Sequence, residues 1–380
     1  MISKQLLNSI LEYASKQVYP DIHLNTWFLP KIRDRNWDIN NLEKITVIKN
    51  ITDQETWEEK VIEENIQMPI LSVEIIKEII ITIIWENWYE NFESTMELDT
   101  SYSLQQWDRY RVNCYKDSAW YSIAFRIIPS KIPTIEELGL WDTVKQMCNR
   151  SKWLIIVTWP TGSWKSTNLA AMIDYINKNH KKHIITIEDP VEFSFTSDKC
   201  LINQRQIWSH TKGFDIAMRS ALREDPDIIM VWEMRDPETI KTAITLAETW
   251  HLVLSTLHTN DSVQTIDRIV DVFPSGQQKQ IRMQLAMSLV WVISQRLIPR
   301  SDKEWRIAAR EILTSTDAVR NLIITWKTHQ LYSVLEVGMK YWMILMDKYL
   351  LLLFKKWVIS KENLIAYARD KDGIEMLIED

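Results

Sequence analysis

The sequence predicts an α/β protein in two parts: a mixed α/β domain over residues 1–128, and a second domain whose parallel sheet starts after residue 150. Three observations carry that prediction. From residue 150 onward, short apolar runs alternate with segments of helical spacing, the signature of βαβ units and of a sheet covered by helices on both faces. One such unit, residues 153–175, passes from an apolar run through a loop straight into a helix. Ahead of it, Pro129–Thr134 carries two prolines and reads as a linker.

Within the first part, Leu6, Leu7, Ile10, Leu11 and Ala14 fall on one helical stripe over residues 1–19. Residues 21–33 alternate and then turn, which predicts strands and a hairpin. Residues 54–91 are rich in Glu, Ile and Lys at helical spacing. Leu98–Ser103, Tyr110–Tyr115 and Tyr121–Ile128 read as strands, with turns at Trp107 and Lys116–Trp120. Residues 129–149 make the linker and a first helix, begun at Thr134 with Glu136 and Glu137 behind it. In the core, 150–300, strands are predicted at Leu154–Val157, His183–Glu188, Ile228–Val231 and Leu252–Leu257, with helices from Asn168 and over 237–249. Residues 276–380 read as mostly helical, 301–380 forming a helical C-terminal region, and the apolar stripe of Met343–Phe354 fits packing within the domain.

The 380 residues are 46% hydrophobic and 25% charged, an ordinary globular balance. A net charge of −6 gives no reason to bind nucleic acid or an acidic membrane. Cys114, Cys148 and Cys200 are isolated, so neither a disulfide framework nor a zinc site is indicated. No signal pattern opens the chain, and no apolar run is long enough to span a bilayer. A cytoplasmic protein without a membrane span is the expectation.

The loop of the 153–175 unit, Trp159–Thr167, is nearly a phosphate-binding loop, G-x-x-x-x-G-K-[ST], with both diagnostic glycines written as Trp159 and Trp164. Such a loop wraps backbone N–H groups around an anion, and the residue before the lysine must let the main chain come close. An indole at 164 would fill the phosphate site. Taken literally, the loop binds nucleotide badly. The composition supplies an explanation. Glycine averages about 7% of residues, or roughly 27 in a chain this long. The chain has 6, and its 19 tryptophans make up most of the shortfall. Several tryptophans also stand where turns want glycine, as at Asn36–Asp38, Thr325–Lys327 and Lys356–Val358. Glycine encoded by UGA, and written as tryptophan under a different code, accounts for both facts.

The polar clusters gather at the carboxyl ends of the predicted strands, where ligands bind in open α/β sheets. Lys165 is suited to neutralising phosphate charge, and the Ser166 hydroxyl to holding Mg²⁺. Glu233 follows the apolar run Ile228–Val231 and is placed to orient water or a metal ligand; a pairing with Arg235 is the bland alternative. Glu188, Asp189 and Glu192 end a neighbouring strand and could serve a metal-bound water, one as general base. His258 lies at a strand's carboxyl end, within reach of a γ-phosphate, while His251 at the other end reads as structural. Arg219 and Arg223 share a helix face, and Arg109, Arg111 and Arg126 lie in the first domain; arginines of either group could stabilise transition-state charge or simply form salt bridges.

With these clusters in order, the chain resembles the PilT-type type IV pilus retraction ATPases of the type II/IV secretion ATPase superfamily. The likeness runs through Asp21–Leu24, Arg109–Asn113 and Phe125–Lys131, then the Walker A loop at 159–167, Glu188–Glu192, a Walker B strand from Asp227 to Glu233, His251–His258, Asp267–Pro274 and Ala318–Ile323. After Ile323 the chain departs from the usual Arg-Glu. Trp27, Trp120, Trp153, Trp159, Trp164, Trp208, Trp232, Trp250 and Trp291 fall where similar proteins carry glycine. The resemblance implies a PAS-like N-terminal domain joined to a RecA-like P-loop domain, a homo-hexameric ring, and ATP with Mg²⁺ as cofactors. It implies nucleotide contacts from Trp159, Pro160, Thr161, Gly162, Ser163, Trp164, Lys165, Ser166, Thr167, Arg109, Arg111 and Arg126. Glu192 and Glu233 would support hydrolysis, and His258 would sense the γ-phosphate. The implied partner is the inner-membrane pilus platform protein. Extension and secretion ATPases of the superfamily usually carry a tetracysteine zinc module and a longer N-terminal region, neither of which this chain has. An inactive ring subunit is the reading that literal tryptophans would require.

Overall fold

The computed structural model describes residues 2–17, 19–34, 38–52, 59–84, 86–104, 109–128, 131–140, 142–158, 165–207, 209–302 and 306–379. The chain forms two compact units, Met1–Lys131 and Ile132–Asp380.

The first unit runs α1 (Ile2–Gln17), β1 (Asp21–Asn25), β2 (Lys31–Arg33), β3 (Ile39–Asn41), β4 (Lys44–Thr52), β5 (Glu59–Gln67), α2 (Val73–Ile84), α3 (Glu86–Thr95), β6 (Glu97–Ser103), β7 (Arg109–Asp117) and β8 (Trp120–Ile128). Six of the strands make an antiparallel sheet in the order β3-β2-β1-β8-β7-β6, and β4 pairs with β5 as a separate ribbon. Alternation sorts the faces. Ile22, Leu24, Tyr110, Val112, Ile123 and Phe125 pack with Leu7, Ile10 and Leu11 of α1 and Ile76, Ile79 and Ile80 of α2. The helical reading of 54–91 holds for α2 and α3 but fails at β5. There Glu59–Gln67 contains good helix formers, and pairing along all of β4 overrides that weak propensity.

The second unit runs α4 (Asp142–Cys148), β9 (Trp153–Thr158), α5 (Lys165–Asn179), β10 (His183–Glu188), β11 (Leu201–Gln206), α6 (Phe214–Ala221), β12 (Ile228–Val231), α7 (Pro237–Glu248), β13 (Leu252–Leu257), α8 (Ser262–Asp271), α9 (Ser275–Ser288), β14 (Leu289–Pro299), β15 (Arg306–Thr314), α10 (Asp317–Ile324), α11 (Leu331–Val337), α12 (Met346–Lys355), α13 (Lys361–Tyr367) and α14 (Lys371–Glu379). The sheet order is β11-β10-β12-β13-β9-β14-β15, parallel throughout except for the β14–β15 pair. One face buries α6, α7, α8 and α9 around Ile156, Ile187, Val231 and Val253. The other buries α4 and α5 around Ile155, Val157, Leu254 and Ile293. Asp236 and Asp261 cap α7 and α8 by accepting from Thr239 N (2.9 Å) and Gln264 N (2.8 Å).

The expectation of mostly helix over 276–380 needs correction at β14 and β15. Ser294, Gln295, Arg296, Arg310 and Glu311 interrupt those apolar runs, and the strand period is lost among them; four of the five are nevertheless buried. The stripe of 343–354 packs inside the unit as expected, through Met346, Leu350 and Leu353. No helix among the described residues is long and apolar enough to cross a membrane.

Among the described residues, nine that are not glycine have positive φ, and seven of them are tryptophan: Trp27 (69°), Trp120 (89°), Trp153 (115°), Trp250 (72°), Trp326 (64°), Trp342 (64°) and Trp357 (59°). Positive φ brings Cβ against backbone oxygen, which makes a bulky residue there an outlier and glycine the default. Most of these indoles also point into solvent, Trp357 being 83% exposed, so packing does not compensate. Trp291 fails differently. It lies at the register shift between β14 and β9, and its buried indole N–H has no acceptor among the described residues. In protein made with tryptophan, Trp357→Gly is expected to raise stability by about 1 kcal/mol, read by denaturant unfolding. Trp357→Ala, which keeps Cβ, should give little of that gain; equal gains from both would remove backbone strain as the cause.

Candidate nucleotide site at the carboxyl edge of the sheet

β9 lies between β13 and β14, buried from Leu154 to Thr158, and delivers the chain to the sheet's carboxyl edge. Residues 159–164, which hold most of the expected phosphate loop, lie outside the described residues. Lys165 and Ser166 are the first two residues of α5, a fifteen-residue helix, and Thr167 follows, half-buried. A helix start offers unpaired N–H groups and the positive end of the dipole, which suits an anion. Both sides of the loop are tied to β14: Thr158 Oγ1 and Ser294 Oγ share a hydrogen bond of 2.9 Å, and Asn168 Nδ2 donates to Gln295 Oε1 at 2.9 Å. Sequence reasoning missed Ser294 and Gln295. Their signal was two polar residues inside an apolar run.

Glu233 and His258, two residues past β12 and one past β13, come together. His258 Nε2 lies 3.2 Å from Glu233 Oε1, and Arg235 Nη2 lies 2.8 Å from Glu233 Oε2. Glu233 is nearly buried, so both its oxygens find partners where water is scarce. Its hydrogen bond to Arg235 raises the guanidinium above its ordinary range, against partial burial, with the charges of Glu233 and Asp189 adding to the effect. The pairing with Arg235 that stood as the bland alternative is thus present, and a histidine joins it.

Glu188 ends β10 fully inside the protein, where Oε1 accepts from Thr186 Oγ1 (2.6 Å) and Gln204 Nε2 (3.1 Å). Glu192 sits half-buried on the loop between β10 and β11. His251 Nδ1 donates to Leu246 O (3.0 Å) and lies 3.2 Å from Thr249 Oγ1, at the far end of β13, as a structural residue would. Arg219 pairs with Glu238 at 3.2 Å on the surface, and Arg223 is exposed nearby.

In the first unit, Arg109 and Arg111 of β7 and Arg126 of β8 lie on the sheet face opposite α1 and α2, with Arg111 and Arg126 directly paired across strands. Arg126 Nε reaches Asp21 Oδ1 at 2.8 Å, Arg111 lies 3.9 Å from Asp99, and Arg109 donates to Ser101 Oγ at 3.4 Å. Neighbouring carboxylates thus offset adjacent like charges. Cys114, Cys148 and Cys200 are free and buried; burial pushes the Cys114 thiol up to about 12. No group of three or more potential metal-ligating side chains occurs among the described residues.

Residues 120–330 match the family model described as "Type II/IV secretion system protein". The type IV pilus retraction ATPase PilT of Pseudomonas aeruginosa is 41% identical over 97% of this chain and 98% of its own length. A twitching motility protein of Neisseria gonorrhoeae is 44% identical over 81% of this chain and 83% of its own. A crystal structure of the pilus retraction motor PilT with bound ADP superposes with a TM-score of 0.84, at 36% identity, over 97% of this chain and 99% of that one.

Arg235→Ala should cost less than about 1 kcal/mol of stability, since the side chain is 74% exposed. Urea unfolding measures this, and a loss of several kcal/mol would instead make the pair a structural element of the fold.

Proposed function

The chain belongs to the type II/IV secretion ATPase family and, within it, to the PilT-type pilus retraction ATPases, and on that premise we propose how its residues divide the work of ATP hydrolysis. The observation that carries the reading is the meeting of Glu233 and His258 at the sheet edge to which β9 delivers the phosphate loop. Phosphoryl transfer asks mainly for positioning and charge neutralisation, and an acid beside a histidine supplies both for an attacking water and a terminal phosphate. Main-chain N–H groups over 159–166, with Thr167, cup the triphosphate, and Lys165 neutralises it. Glycine at 159 and 164 is part of this proposal, because a side chain there would occupy the space the phosphates need.

Ser166 and, through water, Glu233 would hold Mg²⁺, whose part is to offset charge developing on the phosphate oxygens. A hydroxyl and a carboxylate are the hard oxygen donors that this ion prefers. Glu233 orients the attacking water. Glu192 takes the general-base part, with Glu188 behind it at the strand end, and His258 contacts the γ-phosphate. Arg109, Arg111 and Arg126 bring positive charge from the first unit when nucleotide is bound. Copies of the chain assemble as a homo-hexamer at the cytoplasmic face of the inner membrane. There, hydrolysis turns the pilus platform protein so that the pilus is withdrawn. Retraction is favoured over extension or secretion because the likeness to retraction ATPases runs through both units.

Two measurements test this. The intact mass of protein purified from its own host should fit glycine at the nineteen tryptophan positions; tryptophan at 159 and 164 would leave an inactive ring subunit. In glycine-bearing protein, Lys165→Ala should abolish ATP binding, and Glu233→Gln should bind ATP but turn it over about 10²–10⁴-fold more slowly. Wild-type turnover by Glu233→Gln would take that residue out of the mechanism.

A further inference from the structure

Asn168, Gln295 and Arg310 are three polar side chains set into the apolar face that α4 and α5 cover, each 3% exposed or less. They are joined in series. Gln295 Oε1 accepts from Asn168 Nδ2 in the first turn of α5 and from Arg310 Nε on β15, both at 2.9 Å. Arg310 continues to two main-chain carbonyls, donating from Nη1 to Gly139 O (3.0 Å) and from Nη2 to Leu138 O (2.7 Å). Leu138 and Gly139 close the turn by which the chain, just past the junction at Lys131, enters the second unit. Gly139 stands at φ 61° there, the conformation glycine adopts without strain.

This arrangement is a poor device for stability. The partners of the Arg310 guanidinium are Gln295, two main-chain carbonyls and Tyr349 rather than a carboxylate, and burial, opposed by Tyr349, lowers its affinity for the proton below that of an ordinary arginine. Gln295 Nε2 is buried with no acceptor among the described residues. Apolar side chains of the same size would fill the space at less cost. What the polar chain does provide is direction: each bond fixes the geometry of the next, from the start of α5 to the carbonyls of 138–139.

We propose that Asn168, Gln295 and Arg310 are positioning residues forming a relay that passes the nucleotide state at the start of α5 to the segment joining the two units. The relay rests on the nucleotide reading given above, since its input is the occupied helix start. A bound anion pulls on the first turn of α5, Asn168 moves with it, and the shared acceptor Gln295 shifts Arg310 and the carbonyls it holds.

The test uses full-length protein with glycine at the nineteen positions. Labelled ADP gives affinity, ATP turnover gives kcat and KM, and trypsin reports cleavage after Lys131 with and without ADP. ADP should slow that cleavage in the unaltered protein. Arg310→Met should keep ADP affinity and KM yet lose the ADP effect on cleavage, with kcat lowered about tenfold. Arg310→Lys, which keeps one donor set, should recover part of it. Gln295→Met breaks the relay from the other side and should give the same pattern if Arg310→Met does not fold. Either Met variant with unaltered kcat and unaltered ADP-dependent cleavage would overturn the proposal, as would losses that merely follow ADP affinity. Failure of the unaltered protein to bind ADP would strike the nucleotide reading instead.

Discussion

A carbon that bears a side chain fits badly where φ is positive, and this fold needs positive φ at the tips of its turns and at the start of β9. Everything above that level assumes the turns close. β7 pairs with β8 through Trp120, β9 opens at Trp153, and α7 gives way to β13 at Trp250. The backbone has taken the shape that glycine allows while the written letter is the bulkiest available. The same backbone freedom is what a phosphate loop requires, so fold and function place one demand on one kind of residue.

Given those turns, the site follows from where β9 lies. A strand hydrogen-bonded on both sides by parallel neighbours, with apolar helices on both faces, cannot shift register without exposing its core residues. Its end is therefore a fixed point. β13 ends beside it and β12 beside β13, and they carry His258 and Glu233 on the residues just beyond, where alternation no longer dictates which way a side chain faces and polar groups can converge.

Much of this was legible in the letters. Strands β9, β10, β12 and β13 are runs of Ile, Val and Leu bounded by turns, and such runs have few other readings in a βαβ context. Glu233 was legible because an acid directly after such a run stands out. The relation of His258 to it was not, since the two residues meet only when β12 and β13 pair. β14 and β15 were hidden because their buried positions include Ser294, Gln295, Arg310 and Glu311, which a hydrophobic period counts as solvent-facing. Each is buried with partners that no sequence window contains: Ser294 with Thr158, Gln295 with Asn168, and Glu311 with the N–H and hydroxyl of Ser262 at 2.9 and 2.7 Å. β5 was hidden for the opposite reason, being an outlying ribbon strand whose composition suits a helix.

Each margin of the seven-stranded sheet is engaged in part by the chain itself. Beyond β15, Ile312 exchanges both main-chain hydrogen bonds with Ile344, at 3.0 and 3.1 Å. Beside β11, the loop before it folds back: Ser197 Oγ takes the Ile202 N–H at 3.1 Å, and Gln204 bonds the main chain of Phe193 and Phe195 at 2.8 and 2.9 Å. At these points the chain itself engages hydrogen-bonding groups that an edge strand would otherwise present. A border held in this way offers fewer unpaired groups to a foreign strand, which lowers the tendency of the seven strands to aggregate edge to edge.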